Sequence, residues 1–193
     1  MDTIQQTIAD SIAVKQAILA DARFLQLIDT VAREIVAVYS RGGKLLLAGN
    51  GGSASDAQHI AGEMVNRFCF DRPPLSAIAL STDTSVLTAI GNDSAFDQVF
   101  ARQVDALGVI GDLFIGLSTS GGSPNIINAF QMCKKKGIVR VGLTGEKGRS
   151  MAEWCDYCFV VPSVNTPRVQ EAHVLIYHIL CQQVEASIFG GRG

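Results

Sequence analysis

Residues 44–56 read Lys44-Leu45-Leu46-Leu47-Ala48-Gly49-Asn50-Gly51-Gly52-Ser53-Ala54-Ser55-Asp56. The run from Leu45 to Ala48 is apolar without alternation, the pattern of a parallel strand covered by helices on both faces. Gly49, Gly51 and Gly52 follow, then a helix-forming segment. Glycines let the backbone turn sharply and approach a ligand, and the helix start behind them offers unpaired N–H groups. A strand, a glycine turn and a helix in this order open a doubly wound α/β domain.

The same apolar density recurs downstream. It predicts further strands at Ser76–Leu80, Asp112–Leu117, Ile138–Leu143 and Tyr157–Val161, beside the first at Lys44–Ala48. The expected fold is α/β, a doubly wound five-stranded parallel sheet. Upstream, Ile4, Ile8 and Ile12, then Leu25, Ile28, Val31, Ile35 and Val38, recur at helical steps on either side of Asp21, a plausible cap. Residues 1–40 are read as an N-terminal helical arm and residues 41–193 as the α/β core of one domain spanning 1–193. A last helix is expected from about Arg168 to Ile188.

Composition narrows the function classes. Of 193 residues 48% are hydrophobic and 18% charged, with a net charge of −2, so the chain is too apolar and too weakly charged to stay disordered. A slightly acidic chain lacks the excess cation needed to displace phosphate counterions, which argues against nucleic acid as partner. No apolar run approaches the roughly 18 residues of a membrane span, and Met1-Asp2-Thr3-Ile4-Gln5 has no basic start and apolar core of a secretion signal. Five scattered cysteines read as reduced thiols, hence a cytoplasmic protein. Cys155 and Cys158 form a single C-x-x-C pair without a second, Lys134-Lys135-Lys136 suits a solvated helix end, and Trp154 reads as packing.

In a doubly wound sheet, ligands bind beyond the carboxyl ends of the strands where strand order reverses. Two loops there carry chemistry. Gly49, Gly51 and Ala54 formally satisfy the dinucleotide pattern, but the acidic residue it needs about 20 positions on is missing, since Asp83 lies too far along. The second loop, Ser118-Thr119-Ser120-Gly121-Gly122-Ser123, precedes a helix. Four hydroxyls and flexible glycines at a helix start make a phosphate cradle without lysine. No P-loop pattern is present, which argues against ATP chemistry.

On the helix after the glycine turn, His59 and Glu63 are four apart and share a face. The pair fits a surface hydrogen bond, two metal ligands, or a base with its partner. The other histidines, His173 and His178, lie on the last helix with Gln170. Eight helical residues separate Gln170 from His178 by about 12 Å, so one chain cannot easily bring both to one atom, and a shared site implies two chains.

Taken together, these residues resemble the bacterial phosphoheptose isomerases of the sugar-isomerase (SIS) domain class. The resemblance runs from the helical arm to the last helix. It is carried by Gly49-Asn50-Gly51-Gly52-Ser53, Asp56-Ala57-Gln58-His59 with Glu63 and Arg67, Gly91-Asn92-Asp93, Ser118-Thr119-Ser120-Gly121 with Ser123, and Arg168-Val169-Gln170-Glu171 with His178. It implies an SIS fold and a homotetramer with active sites between subunits. The implied reaction converts sedoheptulose 7-phosphate to D-glycero-D-manno-heptose 7-phosphate, at the head of ADP- or GDP-heptose biosynthesis, as for lipopolysaccharide. It further implies Glu63 and His178 as the acid/base pair, meeting across a contact between protomers, and a zinc ion on His59, Glu63, Gln170 and His178. The phosphate would lie on Ser118, Thr119, Ser120 and Ser123, and the sugar along Asn50, Gly51, Gly52, Ser53, Arg67, Asp93 and Gln170. Two positions depart from the family pattern: Pro167 replaces an aspartate found in some members, and Gly122 replaces the commoner asparagine. A non-catalytic relative of this class binds the replication initiator, but it lacks the carboxylate and histidine matching Glu63 and His178.

Overall fold

The computed structural model describes residues 3–190. In chain order the elements are α1 (Thr3–Ala20), α2 (Ala22–Ser40), β1 (Leu45–Gly49), α3 (Gly52–Val65), β2 (Ala77–Ala79), α4 (Thr84–Asp93) and α5 (Val99–Leu107). They continue with β3 (Leu113–Leu117), α6 (Pro124–Lys136), β4 (Val139–Gly145), β5 (Tyr157–Val161) and α7 (Thr166–Phe189). Short 3-10 segments cover Phe96–Gln98 and Glu146–Trp154.

The five strands are parallel, in the order β2-β1-β3-β4-β5. Alternate side chains of β1 enter opposite layers. Leu45 and Leu47 pack with α2, α3 and α7, while Leu46 and Ala48 pack with α5 and α6. Both faces of β1 and β3 are therefore buried along their whole length, which is why these strands read as unbroken apolar runs. Strand order reverses between β1 and β3, so the crevice of the fold lies where Asn50 and Ser118 leave the sheet.

The anticipated arm over residues 1–40 divides at Asp21, whose carboxylate caps α2 by accepting from the N–H groups of Arg23 and Phe24. Helix α2 belongs to the core: Val31, Ile35 and Val38 have no exposed surface. Only α1 stands out from it, with Ile18 its one buried residue.

Two charged residues with no evident pattern in the sequence tie α3 to α7. Arg72 and Glu185 form a buried ion pair, Nε to Oε1 2.9 Å, with side chains 2% and 1% exposed. Glu185 also accepts from the backbone N–H groups of Phe68 and Cys69. Arg72 donates to the carbonyls of Glu63 and Met64, satisfying the last turn of α3, and its guanidinium stacks on Phe189. Burial opposes ionisation of Glu185, but those backbone donors and Arg72 outweigh it and hold the carboxyl below its usual 4.5.

A carboxyl whose folded pKa is depressed stabilises above its unfolded pKa, and that stability is lost as pH falls through the folded value. Replacing Glu185 by Ala leaves Arg72 buried without its counter-charge, so a loss of about 3–5 kcal/mol is expected in urea unfolding at pH 7, shrinking as the pH is taken below 4. A loss under about 1 kcal/mol at pH 7 would show that the pair holds nothing.

Candidate active site

Two loops meet at the strand-order reversal, and two helices, α3 and α7, carry a separate cluster of titratable groups. The glycine turn after β1 is held to the serine turn after β3 by a reciprocal amide pair: Asn50 and Asn125 each donate Nδ2 to the other's Oδ1 at 2.9 Å. Asn125 is buried, so its two bonds answer a real desolvation cost. This pairing engages the amide of Asn50, a residue that the resemblance sets along the sugar. Between the loops opens a cavity of ≈370 Å³ lined by Asn50, Gly51, Ser123, Pro124 and Asn125 together with Phe96 and Asp97. Gly51 has φ +54°, and the N–H groups of α3 begin directly behind it.

In the serine turn, the N–H of Gly121 donates to the carbonyl of Ser118, and the hydroxyls of Ser118 and Ser123 lie 2.8 Å apart. Ser123 precedes α6 but its side chain makes no cap bond, and the Ser120 hydroxyl is at the exposed tip. The turn needs Gly121 itself: φ is +67°, and a Cβ there would fall 2.4 Å from Gly148 Cα. The segment after β4 thus closes against the serine turn from below.

Helices α3 and α7 pack side by side and supply the titratable groups. His59, Glu63 and His178 each offer an atom within 4.8 Å of the others. Nε2 of His59 lies 2.9 Å from Glu63 Oε1, and Nδ1 lies 2.9 Å from the Tyr177 hydroxyl. Nε2 of His178 is buried with no hydrogen-bond partner among the described residues. Burial, then the neighbouring His59, push the His178 pKa below its usual 6.5, so the ring is neutral at pH 7. Phe68, whose N–H is fixed by Glu185, packs on His178 with ring centres 5.3 Å apart.

These placements correct one expectation. Glu63 and His178 need no contact between protomers: a single chain brings them together, because α3 and α7 are spatial neighbours despite the sequence between them. The spacing argument holds for Gln170, whose amide lies against Gly52 two turns away from His178. Arg67, just beyond α3, and Asp93, at the end of α4, are exposed and make no hydrogen bond to the cluster among the described residues. Ser53 is buried in the first turn of α3, and Thr119 is half-buried. His173 is a core histidine, fully buried against Thr144 and pushed by burial down to about 4. Sequence reasoning missed Tyr177, Asn125 and Arg72. Only the polarity of Asn125 and its closeness to the serine turn gave any hint.

The donor set suits a transition metal. Two imidazoles and a carboxylate whose donor atoms lie within 4.8 Å of one another are a ligand set of catalytic zinc, and Nε2 of His178, buried without a hydrogen-bond partner among the described residues, has a lone pair to offer.

A family model described as SIS domain matches residues 9–145. The chain belongs to the SIS domain family. Phosphoheptose isomerase of Aneurinibacillus thermoaerophilus is 60% identical over 191 residues, 99% of this chain and 96% of that one. Phosphoheptose isomerase 2 of Campylobacter jejuni is 59% identical, covering 94% and 90%. Among solved structures, the phosphoheptose isomerase of Neisseria gonorrhoeae superposes with a TM-score of 0.88 at 39% identity, covering 95% of this chain and 97% of that one. The one from Francisella tularensis gives 0.90 at 36% identity, covering 95% and 96%. Within the SIS family the chain therefore groups with the phosphoheptose isomerases and is a sugar-phosphate isomerase.

Replacing Gly121 by Ala forces a side chain into left-handed backbone against Gly148. A stability loss of about 1–3 kcal/mol is expected, with a weakened affinity for sugar phosphate in calorimetric titration. Unchanged affinity would separate the serine turn from ligand binding.

Proposed function

We propose that the protein interconverts sedoheptulose 7-phosphate and D-glycero-D-manno-heptose 7-phosphate, opening ADP- or GDP-heptose synthesis for lipopolysaccharide or another surface glycan. The observation that carries this reading is the meeting of Glu63 and His178 in one chain, in a fold whose β3–α6 turn is rich in hydroxyls at a helix start.

Aldose–ketose interconversion moves one proton between C1 and C2 through a cis-enediol and another between the two oxygens. Glu63 takes the proton from C1 of the ketose and returns it to C2. Its Oε1 lies against Nε2 of His59, which leaves Oε2 for the carbon whichever nitrogen of that ring holds the proton. His178, whose pKa burial holds below the usual 6.5, can accept the hydroxyl proton and give it back at the neighbouring oxygen through a ring nitrogen that is not on a metal. The phosphate rests on Ser118, Thr119, Ser120, Ser123 and the amino end of α6, where hydroxyls and backbone N–H groups meet an anion. The sugar extends past Gly51, Gly52 and Ser53 toward Gln170, with Asn50, Arg67 and Asp93 at its margins. Turnover in this reading is cytoplasmic.

His59, Glu63 and His178 would hold a zinc ion, with Gln170 completing the set only from a second protomer. When bound, zinc would polarise the oxygens at C1 and C2. A homotetramer with sites completed between subunits is supported by α1, whose Ile4, Ile8 and Ile12 are 67%, 55% and 50% exposed along one face.

Replacing Glu63 by Gln should lower kcat by at least about 10²-fold while binding of the sugar phosphate stays within about threefold. Turnover of sedoheptulose 7-phosphate near the parent rate would overturn the assignment.

A further inference from the structure

His59 stands on the exposed side of α3, and its ring orientation is fixed by the partners of its two nitrogens. A neutral imidazole carries one proton, so the group facing Nδ1 decides what Nε2 can do. That group is the hydroxyl of Tyr177, a residue 1% exposed on α7. The same hydroxyl is directed at Asp56 Oδ1 across a long 3.5 Å contact, one turn before His59 on α3. Nothing in the isomerisation as derived above uses Tyr177 or Asp56.

A phenol can give or accept a proton, but an ionised carboxylate can only accept. With the Tyr177 proton turned to Asp56, the phenol oxygen is left to accept from Nδ1–H. Nε2 then carries its lone pair beside Glu63 and His178. With the phenol proton turned to Nδ1 instead, Nε2 must hold the proton, donates to Glu63, and has no lone pair for a cation. We propose that Tyr177, backed by Asp56, is a positioning residue that holds His59 in the Nδ1–H form and so makes it a cation ligand. The inference rests on the reading of His59, Glu63 and His178 as a metal site.

The ring of Tyr177 has a second, separable role. It packs edge-on against His59 and His178, with ring centres 5.4 and 4.9 Å apart. Tyr177→Phe keeps that packing and removes only the hydroxyl. Asp56→Asn places an amide where the carboxylate was, able to donate to the phenol oxygen and turn its proton toward Nδ1.

The test is equilibrium competition for Zn²⁺ between a chromophoric chelator and the metal-free full-length protein, alongside thermal melting without metal. Outer partners of a ligating histidine commonly change metal affinity by about 10–100-fold. Tyr177→Phe is expected to weaken zinc binding by at least about tenfold with its metal-free melting unchanged, and Asp56→Asn to weaken it in the same direction. Parent-like zinc affinity in both variants overturns the inference and leaves the metal reading standing. Failure of the parent protein to take up zinc overturns the metal reading and the inference with it. If Tyr177→Phe melts lower, Asp56→Asn decides: weakened binding supports the relay and unchanged binding overturns it.

Discussion

The cluster of His59, Glu63 and His178 depends on how α3 and α7 are held together, and the buried pair of Arg72 and Glu185 adds a polar tie to their apolar packing. Arg72 takes the carbonyl of Glu63 itself, and Glu185 takes the N–H of Phe68, whose ring lies on His178. The backbone of one acid/base candidate and the packing of the other are thus referred to a single ion pair. Buried pairs of this kind are often no more stabilising than apolar residues of the same volume. Their contribution here is positional: an apolar replacement could fill the space, but it could not accept from two N–H groups and cap two carbonyls at once.

The binding end is organised by a different constraint. Reversal of strand order between β1 and β3 leaves two loops diverging from neighbouring strands, and the Asn50–Asn125 pair bridges them. Gly121 pressed on Gly148 fixes the serine turn from the other side. In the proposed reading an anion at the start of α6 would rest on loops held by these two attachments, in keeping with the positional accuracy that proton transfer demands.

Much of the fold was legible in the sequence. The run Leu45–Ala48 and its glycines declare a covered strand and a ligand turn, and β5 was placed residue for residue at Tyr157–Val161. Apolar residues recur at helical steps in both α1 and α2, but the apolar face of α1 is much the weaker, and α1 buries only Ile18 whereas α2 buries a full stripe from Phe24 to Val38. At the site, His59 and Glu63 were legible from their spacing of four. His178 became a partner only through family resemblance, and its placement in the same chain needed the packing of α7 on α3. Arg72 and Glu185, 113 residues apart, leave no local signal, and Tyr177 reads as one more core residue on an apolar helix. Such contacts exist only after the sheet has brought distant helices together.

The most direct measurement is a crystal structure with the ketose phosphate bound to a Glu63→Gln variant. The account predicts phosphate oxygens on the Ser118–Ser123 turn, with C1 and C2 of the same molecule within about 3–4 Å of residue 63 and His178 belonging to one protomer. A sugar whose phosphate occupies that turn while its C1 and C2 face away from both residues, or meet them from two different protomers, would contradict it.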